Sequence, residues 1–238
     1  DDRFLVCQPD GRILGANDDG FFTRDTRFIS AWELRINGRR PVLLNSAPIQ
    51  FFSARFEYTN ESFLDDVGRV DRHVLGIRVD RTVSGGIHED IDIDNYARRP
   101  VRLTIEVAIE SDFADIFDVR SDALVRRGVI NSRWFRSRRE LRTSYENSTF
   151  RRELIVAVDK ADAQPQYANG RHVFVARIPS KGTWHTCLRW LPITQSDAPR
   201  RPSTLGCNAV EPPYPATGPR LPEVTLETPN DTVRRAWD

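Results

Sequence analysis

The ten residues Val101–Glu110, with the sequence VRLTIEVAIE, place a large apolar side chain at every odd position. A helix would distribute these side chains around its axis, whereas an extended chain directs alternate side chains to opposite faces. The segment therefore predicts a β-strand with one buried face and one solvent-facing face. The apolar positions are Val101, Leu103, Ile105, Val107 and Ile109.

The same period of two recurs along the chain. Ile87–Asn95 alternates isoleucine with aspartate, which predicts a strand with an acidic outer face. Asn37-Gly38 is a strong signal for a β-hairpin turn between two of the predicted strands, and residues 84–86 and 95–100 join further pairs of strands. The other predicted strands are Phe4–Cys7, Phe28–Ile36, Arg40–Leu44, Gln50–Thr59, Val74–Val83, Leu124–Val129, Glu140–Tyr145, Arg152–Val158, His172–Ile178 and Trp184–Leu191.

These patterns predict an all-β, antiparallel sandwich domain over residues 1–192. Helix signals are nearly absent, apart from a short turn at Ser111–Phe117 with Ser111 or Asp112 as its cap. Nine of the 15 prolines lie from Pro192 onward, which predicts a Pro-rich linker or strap over residues 193–222. The pattern of residues 223–238 predicts the start of a helix, so we expect a helical domain to follow.

Charge and cysteine content narrow the class of protein. The 238 residues carry a formal net charge of +1, so there is no electrostatic argument for nucleic acid as a partner, and no apolar run is long enough to predict a membrane span. Three scattered cysteines without paired spacing favour a reducing, cytoplasmic environment. No cofactor and no metal site is predicted, because the four histidines lack metal-ligand spacing and residues 90–101 lack the glycine and glutamate of a calcium loop.

Two segments rich in charge are candidates for a functional role. Arg133–Glu140 mixes arginine with aromatic residues and could hold a nucleic-acid strand, but nearby glutamates favour a charged strand edge. Glu110–Arg120 holds four carboxylates and an arginine after a strand end. Two of these carboxylates could act as the acid and base of a glycosidase, or the charges could pair internally, with Arg120 bound to Asp118 or Asp112.

Several motifs carry a family resemblance. Residues 112–120, DFADIFDVR, resemble the DFADIFEVR motif of the glycogen debranching enzyme N-terminal domain found in amylo-α-1,6-glucosidase-like bacterial proteins. Residues 20–30, GFFTRDTRFIS, resemble the family's GLFxxDTRFLS, residues 34–41 resemble its LxINGxxP, and residues 94–96 its xNY. Asp118 stands where the family has Glu, and Ser121 where Gly is common.

The resemblance implies a large antiparallel β-supersandwich that precedes an (α/α)6 catalytic barrel. It implies a non-catalytic N-terminal domain of an α-glucan debranching-type glycoside hydrolase, which packs on the barrel and shapes its substrate cleft. The implied partners are that barrel in the same polypeptide and an α-glucan substrate. Catalytic residues are expected outside this sequence, and the cleft or interface candidates are Asp25, Arg27, Phe28, Asp112, Asp115, Asp118 and Arg120.

Two alternatives stay open at the level of sequence. The chain could be a self-sufficient glycosidase that uses Asp112 and Asp118. It could also be a stand-alone carbohydrate-binding module with tryptophan side chains as a stacking platform, although Trp184 and Trp190 share one face of a strand in a manner more typical of a core. The candidate platform residues are Trp32, Trp134, Trp184 and Trp190.

Overall fold

Strands account for nearly all regular structure in the computed structural model, which describes residues 3–15, 18–125 and 127–194. Within these residues there is one short helix, α1 (Ile116–Arg120). The strands are β1 (Arg3–Val6), β2 (Gly20–Thr23), β3 (Thr26–Ile29), β4 (Ala31–Ile36), β5 (Val42–Gln50), β6 (Ser53–Thr59), β7 (Phe63–Leu64), β8 (Arg69–Val70), β9 (Leu75–Val83), β10 (Ile87–Asn95), β11 (Val101–Glu110), β12 (Val129–Phe135), β13 (Glu140–Asn147), β14 (Phe150–Ala161), β15 (Gln166–Ala168), β16 (Arg171–Ile178) and β17 (Thr183–Thr194).

Two sheets dominate the architecture. An eight-stranded sheet has the order β12-β13-β14-β17-β10-β9-β6-β5, and a four-stranded sheet has the order β15-β16-β11-β4. A three-stranded sheet, β1-β2-β3, and the β7-β8 ribbon complete the fold. The strand pairs of these sheets are antiparallel, so the prediction of an all-β antiparallel sandwich is confirmed.

The four-stranded sheet packs its apolar face on the eight-stranded sheet. The inward side chains of β11 are fully buried at four of five positions, and Ile109 is 6% exposed. Phe174 of β16 meets Trp184 of β17 edge to face, with ring centroids 5.4 Å apart. The strict alternation of Val101–Glu110 therefore marks a strand at the centre of the smaller sheet, and its predicted bounds are those observed.

One ion pair lies inside this apolar layer. Arg81 of β9 and Glu89 of β10 are 1% and 0% exposed, and Arg81 Nε donates to a Glu89 oxygen at 2.5 Å. The other Glu89 oxygen accepts from Trp32 Nε1 at 3.0 Å, and the guanidinium lies 3.8 Å from the Trp32 ring centroid. Since a buried charge is costly without partners, this group ties β4 to the larger sheet at one defined register.

Several strand predictions differ from the structure. The predicted strand Phe28–Ile36 is broken at Ser30, whose N–H donates to Glu110 O at 2.9 Å, so its two halves join different sheets. The prediction of a strand at Leu124–Val129 is wrong, because regular pairing begins only at Val129. Asn37 and Gly38 form a tight turn with φ of 49° and 75°, but the hairpin predicted there is wrong, because the strands on either side belong to different sheets.

The acidic face predicted for β10 is buried. Asp90 is 4% exposed and Asp92 is 7% exposed, although both point away from the four-stranded sheet. Neighbouring strands cover them with polar side chains: Arg78 Nη2 donates to Asp92 at 2.7 Å, and His185 Nδ1 lies 2.8 Å from the same carboxylate. Alternation identified the two faces correctly, but it carried no information about what covers the polar one.

The arginine-rich segment Arg133–Glu140 begins within β12, at a sheet edge. β12 is the terminal strand of the eight-stranded sheet, and its aromatic residues are already engaged within the domain. Trp134 stacks on Tyr167 at 5.9 Å, and Arg133 lies 4.9 Å from the Phe135 ring. This arrangement agrees with the interpretation as a charged, protected edge.

The predicted linker and helix start, residues 193–222 and 223–238, lie outside the described residues except for Ile193 and Thr194, which end β17. Among the described residues, no helix combines the length and apolarity that crossing a bilayer requires.

The buried His172 predicts a pH-dependent stability. It is fully buried beside Trp134 and Tyr167, and burial lowers its pKa from 6.5 to about 4. The unfolded chain therefore binds a proton below pH 6.5 that the folded chain accepts only near pH 4, so stability falls as pH falls through this window, by about 3 kcal/mol.

Denaturant unfolding of the protein and of His172→Phe between pH 7 and pH 4 tests this expectation. The free energy of unfolding of the unsubstituted protein should fall by about 3 kcal/mol more than that of His172→Phe. Comparison with the variant cancels the contribution of carboxylates common to both. A difference between the two proteins that stays constant over this range would contradict the prediction.

Candidate functional site

Two segments far apart in sequence meet at one set of strand-end loops. The turn between β2 and β3 lies antiparallel to residues 112–116: Arg27 N–H donates to Ala114 O, and Ile116 N–H donates to Asp25 O, both at 2.9 Å. Thr26 and Asp115 form an isolated bridge between these bonds. The two sequence motifs thus form one structural unit, which we call the loop cluster, residues 24–28 and 112–120.

An ion pair anchors the loop cluster from inside. Arg27 is 1% exposed, and its Nη2 and Nε donate to the Asp112 carboxylate at 2.5 and 3.1 Å. Its Nη1 donates to the backbone carbonyls of Gly15 and Asp19 at 3.3 and 3.2 Å. Arg27 therefore holds the N-terminal segment, β3 and the loop after β11 together, and its guanidinium points inward.

The Arg27 side chain needs a glycine beside it. A Cβ atom at Gly20 would lie 2.5 Å from Arg27 Cδ, closer than two non-bonded carbon atoms can approach. The adjoining turn is also unusual, because Arg24 and Asp25 both have positive φ, 46° and 59°. Residues other than glycine adopt this conformation at a cost, and such positions cluster where the surrounding structure over-determines them.

The remaining charged candidates have separate roles. Asp115 is the N-cap of α1, accepting from the Phe117 N–H at 2.8 Å, so the predicted cap at Ser111 or Asp112 is wrong by three to four residues. Asp118 pairs with Arg127 at 2.5 Å, and this hydrogen bond lowers the pKa of the Asp118 carboxyl. Arg120 is exposed and pairs with neither Asp112 nor Asp118.

Aromatic rings connect the loop cluster to the core. Phe28 is fully buried and packs edge to face on Phe113 at 5.5 Å. Phe113, with φ of 53°, stacks on Tyr145 at 5.7 Å, and Tyr145 meets Phe150 at 6.0 Å. Phe28 is therefore a structural residue, and the ring series leads from β3 to the β13-β14 hairpin.

A cavity of about 360 Å³ opens beside these rings. Its wall combines the loop cluster with the approach to β12 and the β13-β14 hairpin. The lining residues are Thr26, Asp112, Phe113, Ala114, Asp115, Leu124, Val125, Arg127, Tyr145, Asn147 and Phe150. This volume lies in the range of small-molecule sites, and the mixed lining offers both apolar surface and hydrogen-bonding groups.

Exposed apolar side chains lie around the same loops. Phe117 of α1 is 71% exposed, and Val125, Leu124 and Phe150 are 57%, 50% and 38% exposed. Three of these four residues also line the cavity. Apolar groups concentrated at one place on a surface, next to charged groups, are typical of a contact with another protein surface.

The two sequence motifs supply about half of the residues that line this cavity. The residues from β13 and β14 were not predicted, because they lie 25 or more residues beyond the motifs and their contact depends on how the two sheets pack. Arg127 was not predicted either, because the sequence offered Arg120 as the partner of Asp118. A positional signal existed only for Tyr145, which occupies an inward position in a strand with alternating burial.

The geometry does not favour acid–base chemistry at the two proposed aspartates. A general acid at neutral pH needs a carboxyl whose pKa is raised, but Arg127 lowers that of Asp118. Both Asp112 oxygens accept hydrogen bonds from Arg27. The arrangement is that of charge-paired, structurally engaged carboxylates.

The fold and the loop cluster define an antiparallel β-sandwich domain with a cavity and an apolar surface at its strand-end loops. The chain belongs to the family described as the N-terminal domain of (some) glycogen debranching enzymes, whose model matches residues 1–189. The resemblance predicted from the sequence motifs is therefore confirmed. No protein with a curated description shows significant sequence similarity.

The solved structures that this chain resembles share little sequence with it. A protein assigned as a kojibiose phosphorylase, from the human microbiome, aligns over 78% of this chain and 25% of its own, with 8% identity and a TM-score of 0.46. The heparan sulfate lyase HepC from Pedobacter heparinus aligns over 71% and 25%, with 12% identity and a TM-score of 0.37. The chain thus spans about a quarter of the length of these two proteins.

The buried ion pair of the loop cluster predicts a contrast between two equivalent substitutions. Asp112→Asn removes the carboxylate that compensates the buried Arg27, and should lower the free energy of unfolding by about 2–4 kcal/mol. Asp118→Asn removes a carboxylate whose partner Arg127 is 51% exposed, and should lower the free energy of unfolding far less than Asp112→Asn does. Urea unfolding of both variants measures the difference, and equal losses would contradict an anchoring role for Arg27 and Asp112.

Proposed function

We propose that the chain is the non-catalytic N-terminal domain of a cytoplasmic, amylo-α-1,6-glucosidase-like glycoside hydrolase that acts on α-glucans. In this proposal its loop cluster and the exposed apolar residues beside it pack on an (α/α)6 catalytic barrel of the same polypeptide. The cavity then forms one wall of the substrate cleft. Family membership supports the general type of protein.

The observation that carries the proposal is the coincidence of three features at one set of loops. These are the family motifs, the cavity of about 360 Å³, and the exposed apolar side chains of Phe117, Leu124 and Val125. Single exposed apolar side chains are common, but several grouped next to a cavity are typical of a contact surface. Contacts between domains of one chain are commonly of this mixed apolar and charged kind.

The candidate site residues fall into two groups, those that build the loop cluster and those exposed to a partner. Arg27, Phe28 and Asp112 build the loop cluster from within, whereas Arg120 is exposed and available to an acidic group of the barrel or to sugar hydroxyls. Arginine suits both partners, because its fixed set of donors matches carboxylates and paired hydroxyl oxygens. Asp25 and Asp115 shape the loops through their backbone and cap contacts.

Substitutions at two exposed apolar residues test the proposed interface. Phe117 and Leu64 are 71% and 76% exposed, but only Phe117 lies in the loop cluster. In the 238-residue chain, Phe117→Ser and Leu64→Ser should leave the melting temperature unchanged, because neither side chain packs in the core. In the complete polypeptide, Phe117→Ser and Arg120→Ala should lower kcat/KM for a branched α-glucan oligosaccharide about tenfold, while Leu64→Ser should not.

Unchanged kinetics of the complete enzyme would contradict the proposal. If Phe117→Ser and Arg120→Ala leave the kinetics of the complete enzyme unchanged, the loop cluster does not face the catalytic domain. Hydrolysis by the 238-residue chain alone, measured by release of reducing sugar, would instead favour a self-sufficient glycosidase.

A carbohydrate-binding module is the second candidate, because aromatic and polar groups line the cavity. The tryptophans first considered as a platform do not support it: Trp32, Trp184 and Trp190 are at most 3% exposed, and Trp134 is stacked on Tyr167. Any sugar bound by the isolated chain should therefore contact Tyr145 and Phe150 instead.

Titration of the 238-residue chain with maltooligosaccharides by calorimetry tests this candidate. We expect no heat of binding, because the cavity is proposed to be completed by the barrel. Saturable binding that Phe150→Ala abolishes and Leu64→Ser does not would establish a stand-alone module.

A further inference from the structure

A second group of functional side chains lies on the opposite face of the eight-stranded sheet, away from the four-stranded sheet. Strands β10 and β17 are neighbours, with Asp90 paired to Cys187 and Asp92 paired to His185. His88 lies two residues before Asp90, on the same face. All five side chains are at most 8% exposed. None of them belongs to the loop cluster.

Three of these side chains converge on one point. His88 Nε2 lies 3.3 Å from Cys187 Sγ and 3.3 Å from Asp90 Oδ2, and one ligand atom from each of the three residues lies within 4.8 Å of the others. With ordinary zinc bond lengths of 2.0–2.3 Å, the ligand atoms of a tetrahedral site are separated by about 3.3–3.6 Å. The two closest distances therefore already match the edges of a zinc coordination polyhedron.

We propose that His88, Asp90 and Cys187 bind a zinc ion. Imidazole, thiolate and carboxylate are the ligand types that zinc accepts in proteins, and the thiolate disfavours magnesium and calcium. A thiolate and a carboxylate together neutralise a divalent cation, which suits a site that is this deeply buried. Three protein ligands leave the fourth tetrahedral position for water or an added ligand.

The surrounding charges are compatible with a cation. Two guanidinium groups of this face are already paired with other carboxylates: Arg78 with Asp92 at 2.7 Å, and Arg189 with Asp159 at 2.6 Å. Their positive charge is therefore compensated locally.

His185 has the geometry of a positioning residue. Its Nδ1 lies 2.8 Å from Asp92 Oδ1, and its Nε2 lies 3.7 Å from Asp90 Oδ1. Asp90 thus presents one oxygen toward His88 and the other toward His185. At 3.7 Å this second contact is a close approach and not a hydrogen bond, and a neighbour that limits the movement of a metal ligand contributes to affinity without touching the metal.

The sequence carried a weak signal for this site. His88 and Asp90 are two residues apart, as are His185 and Cys187, and each pair shares a face of its strand. The two pairs are almost a hundred residues apart, so only the antiparallel pairing of β10 with β17 brings them together. Spacing within one segment, which was the basis for predicting no metal, could not show this.

Metal binding to the reduced 238-residue chain tests the proposal. We expect one zinc ion per chain after dialysis, a higher melting temperature with zinc than with EDTA, and no such rise with magnesium. Cobalt used in place of zinc should give the ultraviolet charge-transfer band of a thiolate ligand. Elemental analysis, thermal denaturation and absorption spectroscopy make these three measurements.

Variants distinguish this site from other thiols. Cys187→Ser and the isosteric Asp90→Asn should each weaken zinc binding by more than about 100-fold, and His185→Gln by about 10-fold or more. Cys7→Ser and Cys207→Ser, which remove the other two thiols, should bind zinc and cobalt as the unsubstituted chain does. Circular dichroism shows which variants are folded. If Cys187→Ser does not fold, Asp90→Asn tests the site in its place.

Three results would overturn the proposal. The first is a folded, reduced chain that retains no zinc. The second is stoichiometric binding that Cys187→Ser and Asp90→Asn leave unchanged, which would place the ion elsewhere. The third is cobalt binding without a thiolate band, which would exclude Cys187 as a ligand.

Discussion

The packing of the four-stranded sheet on the eight-stranded sheet is the interaction on which the rest of the molecule depends. It buries the alternating apolar residues of β11 and sets β4 against the centre of the larger sheet. The removal of these apolar side chains from water supplies most of the stabilisation of such a domain. Because a polar group in that layer must be paired, Arg81, Glu89 and Trp32 also fix the register of the two sheets.

The polar features follow from this packing in two different ways. At the strand ends, the β2-β3 turn and the loop after β11 meet through two backbone hydrogen bonds, and Arg27 and Asp112 hold them together by charge. On the outer face of the larger sheet, the strand ladder itself holds His88, Asp90 and Cys187 in place. Sites on strands are positioned more rigidly than sites on loops. This favours a metal centre on the outer face of the larger sheet and an adaptable contact surface at the strand-end loops.

Much of the fold and part of the site could be predicted from sequence. The strands β10 and β11 have the predicted bounds, because a period of two leaves no alternative for nine or ten residues. The break at Ser30 could not be predicted, since it depends on which distant strands pair with the residues on either side of it. In the loop cluster, the motif residues were identified, but the partner of Asp118 was not Arg120, because the chain between them is helical and Arg127 approaches from the following loop.

The sequence by itself determined the class of fold, the faces of the main strands and the family, because alternation and motifs are local properties. Only the tertiary structure decided which polar residues are buried, which carboxylate each arginine compensates, and which side chains converge. Asp90 illustrates the division: its position on the outer face followed from its place in Ile87–Asn95, whereas its burial and its proximity to Cys187 came from the pairing of β10 with β17. Contacts across a sheet depend on register between distant segments, and a pattern within one segment contains no information about that register.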